Sequence, residues 1–230
     1  MLIAGFPAGA YGTNCWVVAP GPGERCIVID PGHEATGPLE DLLHQHHLQP
    51  AAVLLTHGHL DHTWSVVPVC GARDIPAYIH PDDRGQLTDP QSWLGLPPGT
   101  PFFGRTDFTE PSDVRLLADG DTLDLAGVRL RVDLAPGHTP GSVTFSGQDD
   151  GGVPRLFSGD LLFAGSVGRT DLPGGSSAAL LDSLARVCLA LPDETVVHPG
   201  HGPDTTIGQE RVSNPFLLGL SPEQQRRTGL

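Results

Sequence analysis

Ala51-Ala52-Val53-Leu54-Leu55-Thr56-His57-Gly58-His59-Leu60-Asp61-His62 is the stretch whose reading decides the fold. An apolar run gives way directly to three histidines and an aspartate. Imidazole and carboxylate are the usual nitrogen and oxygen donors to zinc and similar divalent ions, and such an ion needs several of them converging on one point. If residues 52–55 form a buried strand, the chain leaves its sheet at Thr56. Gly58 then permits a tight loop that turns His57 and His59 the same way, and Asp61 and His62 open a helix. Donors packed this densely behind a strand read as a metal site rather than as a polar loop. The chain holds 11 histidines in all, so each of the others needs its own argument.

Working outward, the 230 residues include 30 glycines and 23 prolines, scattered as short punctuation between apolar runs. That pattern describes many strands joined by tight loops within one body, and a hydrophobic content of 38% suffices for a proper core. No apolar run approaches the ~18 residues of a membrane span. The N-terminal Met1–Phe6 segment has no basic flank and reads as a first strand of a cytoplasmic protein rather than as a signal peptide. A formal charge of -14 argues against a protein that grips nucleic acid through phosphates. Every basic residue is an arginine, and only Arg226 and Arg227 are adjacent. Cys15, Cys26, Cys70 and Cys188 show no CxxC spacing and read as buried thiols in a reducing compartment.

Residues 14–19 and 25–30 are expected to pair as a hairpin across Pro20-Gly21-Pro22-Gly23, and Asp30-Pro31-Gly32 ends the second strand. Leu39, Leu42, Leu43 and His46 recur at helical spacing within 38–47, which leaves His44, His46 and His47 facing solvent or packing on the helix. A helix over 62–69 and a strand over 75–80 continue a β-α-β order. Residues 86–112, rich in proline, glycine and aromatics, read either as a lid or substrate loop or as a surface excursion packed on itself. Strands at 114–117, 122–125 and 128–134 form an expected meander. Further strands are expected at 143–145, 155–157 and 195–197, with an amphipathic helix over 178–191.

Four times a strand ends in a glycine turn that carries a ligand-type residue: at His57 to His62, His138, Asp160 and His201. Like ends of neighbouring strands converge in space. Here the sequence resembles the metallo-β-lactamase fold superfamily, from Asn14 to about Pro215. The resemblance implies an α/β fold, a four-layer αββα sandwich with metals at one edge of two sheets. Within that superfamily the residues are most similar to the glyoxalase II group, the hydroxyacyl-thiol thioester hydrolases. Phe157-Ser158-Gly159-Asp160-Leu161-Leu162-Phe163, Gly165-Ser166-Val167-Gly168-Arg169-Thr170-Asp171 and Thr205-Thr206-Ile207-Gly208-Gln209-Glu210 resemble its short, single-domain branch.

The resemblance implies two divalent ions, zinc foremost with iron or manganese as alternatives. One would be held by His57, His59 and His138, the other by Asp61, His62 and His201, with Asp160 bridging. Asp61 and Asp160 would hold and orient a hydroxide whose pKa the ions bring down to about 7. Ser142, Ser166, Arg169 and Asp171 are candidates for supporting the site or touching substrate. The implied partner is a small-molecule thioester, with neither nucleic acid nor membrane; the oligomeric state is left open. Two departures stand out. The chain stops soon after His201, so a single domain over 1–230 without the helical glutathione-binding domain of longer relatives is expected. The Asp-Pro-Gly-Gly turn common in the superfamily reads Asp30-Pro31-Gly32-His33, with His33 taken as a surface substitution or, second, as a group at the site mouth.

Two other readings compete. A persulfide dioxygenase would use a single iron on His57, His138 and Asp160; His198-Pro199-Gly200-His201-Gly202-Pro203 and the Thr-Thr-Ile-Gly that follows favour the hydrolase. A non-catalytic binding module on a degenerate hydrolase fold sits poorly with a complete ligand set. A true β-lactamase would be expected to carry a cysteine where Asp160 stands.

Overall fold

The chain opens on three strands, β1 (Leu2–Ala8), β2 (Thr13–Ala19) and β3 (Arg25–Ile29), followed by α1 (Thr36–His46) and β4 (Gln49–Leu54). The computed structural model describes residues 1–220; Arg226 and Arg227 lie outside the described residues. In β2, β3 and the second half of β4 nearly every residue is buried, so alternation separates two apolar faces rather than an apolar from a polar one. Val18, Ile27, Ile29, Ala52 and Leu54 point one way, whereas Cys15, Val17, Cys26, Val28, Val53 and Leu55 point the other.

After the histidine stretch come α2 (Leu60–Thr63), α3 (Val66–Gly71), β5 (Ala77–Ile79), α4 (Pro81–Arg84), α5 (Pro90–Trp93) and β6 (Val114–Leu116). The first sheet has the order β1-β2-β3-β4-β5-β6, antiparallel from β1 to β3 and parallel from β3 to β6. The second is built from β7 (Thr122–Leu125), β8 (Val128–Leu134), β9 (Val143–Gln148), β10 (Pro154–Gly159), then α6 (Ser177–Ser183), β11 (Val196–Pro199) and β12 (Thr205–Thr206). The last helices are α7 (Ile207–Ser213) and α8 (Pro215–Leu218). Its order is β12-β11-β10-β9-β8-β7.

Three apolar clusters divide the body into four layers. Leu39 and Leu43 of α1 and Val66, Val69 and Cys70 of α3 cover the outer face of the first sheet. Between the sheets lie Ile27, Ile29, Leu54, Leu130, Val132, Phe145 and Phe157. Leu180, Leu184, Ile207 and Leu217 cover the outer face of the second sheet. Phe145 and Phe157 are almost wholly buried, each burial stabilising by roughly 1.5–3 kcal/mol. This is the αββα arrangement, and all four cysteines are buried free thiols within it.

Three expectations are corrected. The helix over 62–69 is two short ones, broken at Trp64–Ser65. Pro68 has no N–H, and its ring excludes the Trp64 carbonyl from a helical bond. Ser65 instead donates through N to Pro31 O at 2.9 Å and through Oγ to Gly32 O at 2.7 Å, which pins the turn after β3. The meander over 114–134 is divided between sheets. β6 lies parallel to β5, and the chain crosses at residues 117–121 before β7 begins. The helix over 178–191 is regular only through α6. It then widens at Leu184–Cys188, where Leu189 N reaches Leu184 O five residues back at 3.1 Å.

Strands β8, β10 and β11 run in one direction, because each antiparallel step through β9 reverses the chain and β10 to β11 is parallel. Their C-terminal ends therefore share one edge. Val143 N donates to Thr56 O at 2.8 Å, joining that edge to the end of β4 in the first sheet.

Candidate metal centre

The loop after β4 carries His57 and His59, α2 carries Asp61 and His62, the turn after β8 carries His138, the end of β10 carries Asp160, and the turn after β11 carries His201. The structure brings all seven together. His57, His59 and His138 form one group, His57, His62 and Asp160 a second, and Asp61, His62 and His201 a third; within each, one donor atom per residue lies within 4.8 Å of the others. Asp160 stands between the ends of the cluster. Its Oδ1 is 3.3 Å from His62 Nε2, and its Oδ2 is 3.5 Å from His138 Nε2 and 3.6 Å from His201 Nε2. Asp61 Oδ2 is 3.3 Å from His201 Nε2 and 3.6 Å from His62 Nε2.

Partners behind the rings decide which nitrogen faces inward. The Thr56 hydroxyl donates to Asp30 Oδ2 at 2.6 Å, so at 3.0 Å from His57 Nδ1 it is left to accept, and His57 Nε2 carries the free lone pair. His138 Nδ1 donates to the Arg169 carbonyl at 2.7 Å, which leaves its Nε2 facing His59 Nδ1 at 2.8 Å. His62 Nδ1 meets Asp30 Oδ2 at 3.0 Å and turns Nε2 toward Asp61, Asp160 and His201. Rear carbonyl and carboxylate partners of this kind are what orient metal-binding histidines.

Two of the inward-facing atoms, His57 Nε2 and Asp160 Oδ1, are buried with no hydrogen bond. An unpaired buried polar atom costs about 1–3 kcal/mol, and several facing one another are what a cation would satisfy. The residues therefore fit a divalent metal, and the all-nitrogen-and-oxygen donor set suits zinc, iron or manganese alike.

Titration divides the cluster. Burial, then the neighbouring imidazoles His62, His138, His59 and His201, push His57 well below its ordinary value, and burial followed by His138 brings His59 down to about 3. For His62 burial acts downward too, but the Asp160, Asp61 and Asp30 carboxylates outweigh it and raise the group well above its ordinary value. His201 moves up for the same reason, through Asp61 and Asp160. Burial would raise Asp61 and Asp160, yet the facing imidazoles, His62 foremost, lower both.

Gly200 and Gly58 are among the glycines that the site needs for space. A Cβ on Gly200 would collide with Asp160 Oδ1 and come within 2.8 Å of His62 Cε1. At Gly58 the φ angle is not positive, contrary to the expected reason for glycine there. A Cβ would instead meet Asp83 O and the Gln86 side chain at 2.7 Å. Asp83 was missed by sequence reasoning. Its buried carboxylate accepts from Gly58 N at 2.9 Å, Thr139 Oγ1 at 2.6 Å and Gly141 N at 2.8 Å, tying the loop of His57 and His59 to the turn of His138. In Pro-Asp-Asp-Arg it looks like any exposed helix-start acid. Asp30 was read only as a strand terminator. It sits at φ 51, a left-handed conformation that aspartate tolerates, and serves both Thr56 and His62.

A cavity of about 410 Å³ opens over the cluster. His33 lines it, 7% exposed, so this residue is at the site mouth and not a surface substitution. Residues 86–112 supply Leu94, Phe102 and Phe103 to the wall. Of the candidate substrate contacts only Arg169 lines the cavity; its guanidinium is paired with Asp171 at 2.7 Å. Ser166 is exposed and off the wall, as is Asp171, and the Ser142 hydroxyl is spent on Thr139. His44 and His47 face solvent, in keeping with their reading. No helix among the described residues is long and apolar enough to cross a membrane.

Comparison with known proteins gives the same picture. The description of the Metallo-beta-lactamase superfamily matches residues 8–201. The uncharacterized protein Rv2581c of Mycobacterium tuberculosis is 49% identical over 226 residues, 96% of this chain and 100% of that one. The hydroxyacylglutathione hydrolase GloC of Haemophilus influenzae is 32% identical over 229 residues, again 96% of this chain and 100% of the relative. Among solved structures, the BLEG-1 B3 metallo-beta-lactamase gives a TM-score of 0.83 at 39% identity, covering 95% of this chain and 100% of that one. TTHA1623 in a di-iron-bound form gives 0.76 at 42% identity, covering 93% and 100%. With two sheets, histidine and aspartate loops gathered at one shared edge and a match that runs from β1 to His201, the chain belongs to the metallo-beta-lactamase superfamily.

Proposed function

We propose that this chain is a dinuclear metallo-hydrolase that cleaves small hydroxyacyl thioesters, lactoyl thioesters first among them. The observation that carries the reading is the position of Asp160, whose carboxylate lies within 3.6 Å of His138 of the one group and of both His62 and His201 of the other. A single iron on His57, His138 and Asp160 would leave Asp61, His62 and His201 without a task, although their donor atoms are gathered as closely as the first group. One ion would rest on His57, His59 and His138, the other on Asp61, His62 and His201, with Asp160 shared. The pair of ions would supply hydroxide at neutral pH and polarise the thioester carbonyl.

The chain's own residues set the conditions for that chemistry. Thr56, Asp30 and the Arg169 carbonyl hold three imidazoles with their lone pairs inward, so little reorganisation is needed at the moment of reaction. Asp61 is half-enclosed and accepts from Thr13 Oγ1 at 3.1 Å, which keeps one carboxylate oxygen oriented toward His62 and His201. The cavity over the cluster has largely apolar walls to face the acyl group, and Asp61 and Asp160 can hold and orient the attacking hydroxide.

Support also comes from the full-length likeness to a hydroxyacylglutathione hydrolase. The B3 metallo-beta-lactamase name of one structural neighbour reopens the lactam reading that Asp160 had set aside. The test gives purified protein, loaded in turn with zinc, iron and manganese, a lactoyl thioester, a glutathione persulfide and a cephalosporin in parallel. Thiol release without oxygen uptake is expected. Oxygen consumption with the persulfide and no thioester cleavage at any loading would overturn the reading in favour of the dioxygenase, and cephalosporin turnover alone in favour of a lactamase. Elemental analysis of the protein as isolated identifies the native metal.

A further inference from the structure

The wall of the cavity is aromatic and apolar, and its mouth is framed by Tyr11, His33, Trp64 and Phe103. The His33 ring stacks on Phe103 at 4.0 Å between centroids and 24° between planes. Trp64 meets His33 edge-on at 5.0 Å, and Tyr11 meets Phe103 edge-on at 6.0 Å. Yet Tyr11 and Phe103 remain 53% and 56% exposed, large aromatic surface left in water beside the site. Phe103 also sits at φ 45, a conformation that a bulky residue adopts rarely, in a hairpin tip closed by mutual Phe102 and Arg105 backbone bonds at 2.8 Å. Gly104 follows it at φ 79, so the turn itself asks for small residues at both positions. A phenyl ring is kept there against local preference, and such a position points to a task for the ring.

Charge narrows what the mouth can hold. Among the described residues, Arg169 is the one arginine lining the cavity, and Asp171 accepts from its Nε and Nη2. An anionic thiol carrier such as a tripeptide with two carboxylates, or a phosphate-bearing thiol, needs unpaired cations for recognition. A chain charge of -14 opposes such a carrier as well.

Resting on the hydrolase reading above, we infer that the preferred substrate is a hydroxyacyl thioester whose thiol carries an uncharged aromatic or branched apolar group, and that Phe103, stacked on His33, is the specificity-determining residue that receives it. Hydrolysis joins the oxygen of water to the acyl carbon, breaks the carbon–sulfur bond, and releases the hydroxy acid and the free thiol; no oxidant or reductant is consumed. The leaving group is thereby selected by apolar contact at the rim, apart from the donors that carry the chemistry.

The test uses the metal-loaded full chain and one acyl group, lactoyl, on benzyl mercaptan, N-acetylcysteamine and glutathione. The benzyl thioester should exceed the glutathione thioester in kcat/KM by about tenfold or more. Phe103→Ala should remove that advantage chiefly through KM, and Phe103→Tyr should restore it. Binding is read independently of turnover by tryptophan fluorescence, with benzyl methyl sulfide set against S-methylglutathione and Trp64→Phe as control. Benzyl methyl sulfide binding that Phe103→Ala weakens supports Phe103 as the receiver of an apolar group even if no thioester is cleaved, a result that would sink the hydrolase reading and the thioester with it. A glutathione thioester turned over as well as the benzyl one, or S-methylglutathione bound as tightly as the sulfide, overturns the inference and leaves the hydrolase reading intact.

Discussion

Asp30 Oδ2 lies 3.0 Å from His62 Nδ1, at the base of the histidine and aspartate cluster and buried from solvent. Because the same carboxylate also accepts from Thr56 N at 2.8 Å and Thr56 Oγ1 at 2.6 Å, it orients His62 directly and His57 through the threonine. Asp30→Asn isolates the charge, since asparagine also tolerates the left-handed backbone at φ 51. Metal affinity and turnover should fall by about 10- to 100-fold with the fold intact by circular dichroism. Unchanged affinity would show that His62 needs no rear partner.

Two metals per chain follow from the proposed division of the seven donors, and Asp160 is the residue both ions would share. Titration with zinc, iron or manganese should saturate at about two equivalents, and Asp160→Ala should weaken both together and remove most activity. A ceiling near one equivalent under saturation defeats the dinuclear proposal, and near-native turnover in Asp160→Ala defeats the bridging role.

Loading the metals should release protons, and mostly from one side of the cluster. His57 and His59 are held neutral by burial, whereas the carboxylates around His62 and His201 keep those rings protonated to higher pH than usual. Ligation requires neutral imidazole, so His62 and His201 must give up protons to the solvent. Affinity at the side of Asp61, His62 and His201 should therefore rise with pH until their raised values are passed, while protons compete for His57 and His59 only well below the ordinary histidine value. Calorimetric titration in two buffers of different ionisation enthalpy checks this. Identical heats in both buffers would mean that no proton leaves.

Space at the floor of the site is tight enough that one methyl group matters. Gly200→Ala should displace Asp160 or His62, because the new Cβ would overlap Asp160 Oδ1. Overpacking of this kind costs about 1–3 kcal/mol, so thermal unfolding should shift down modestly. The larger effect should be on metal stoichiometry, which should drop below that of the parent chain. Full loading with an unchanged melting temperature would show that the turn after β11 shifts freely.

Much of this was legible in the chain itself. His57-Gly58-His59-Leu60-Asp61-His62 behind an apolar run, and His138, Asp160 and His201 each at the end of a strand in a glycine turn, are local signals: strand periodicity and turn chemistry place such residues at strand ends before any tertiary contact is known. The four layers were expected from the family resemblance alone; the structure supplies the physical reason, since β2 to β4 bury apolar side chains on both faces and need cover on each. Other facts exist only once the chain is closed. That β6 joins the first sheet and β7 the second depends on which neighbours compete for an edge, and strand-like residues on either side of a turn do not state it. Asp83 reads as a solvated acid until Gly58, Thr139 and Gly141, up to 58 residues away, converge on its carboxylate. His33 reads as a surface substitution until Phe103 and Trp64 close over it. Local sequence determines which groups a strand end presents, because backbone geometry is local; the partners behind those groups, and hence their tautomers and charges, were decided by long-range packing, which brings together residues that share no pattern along the chain.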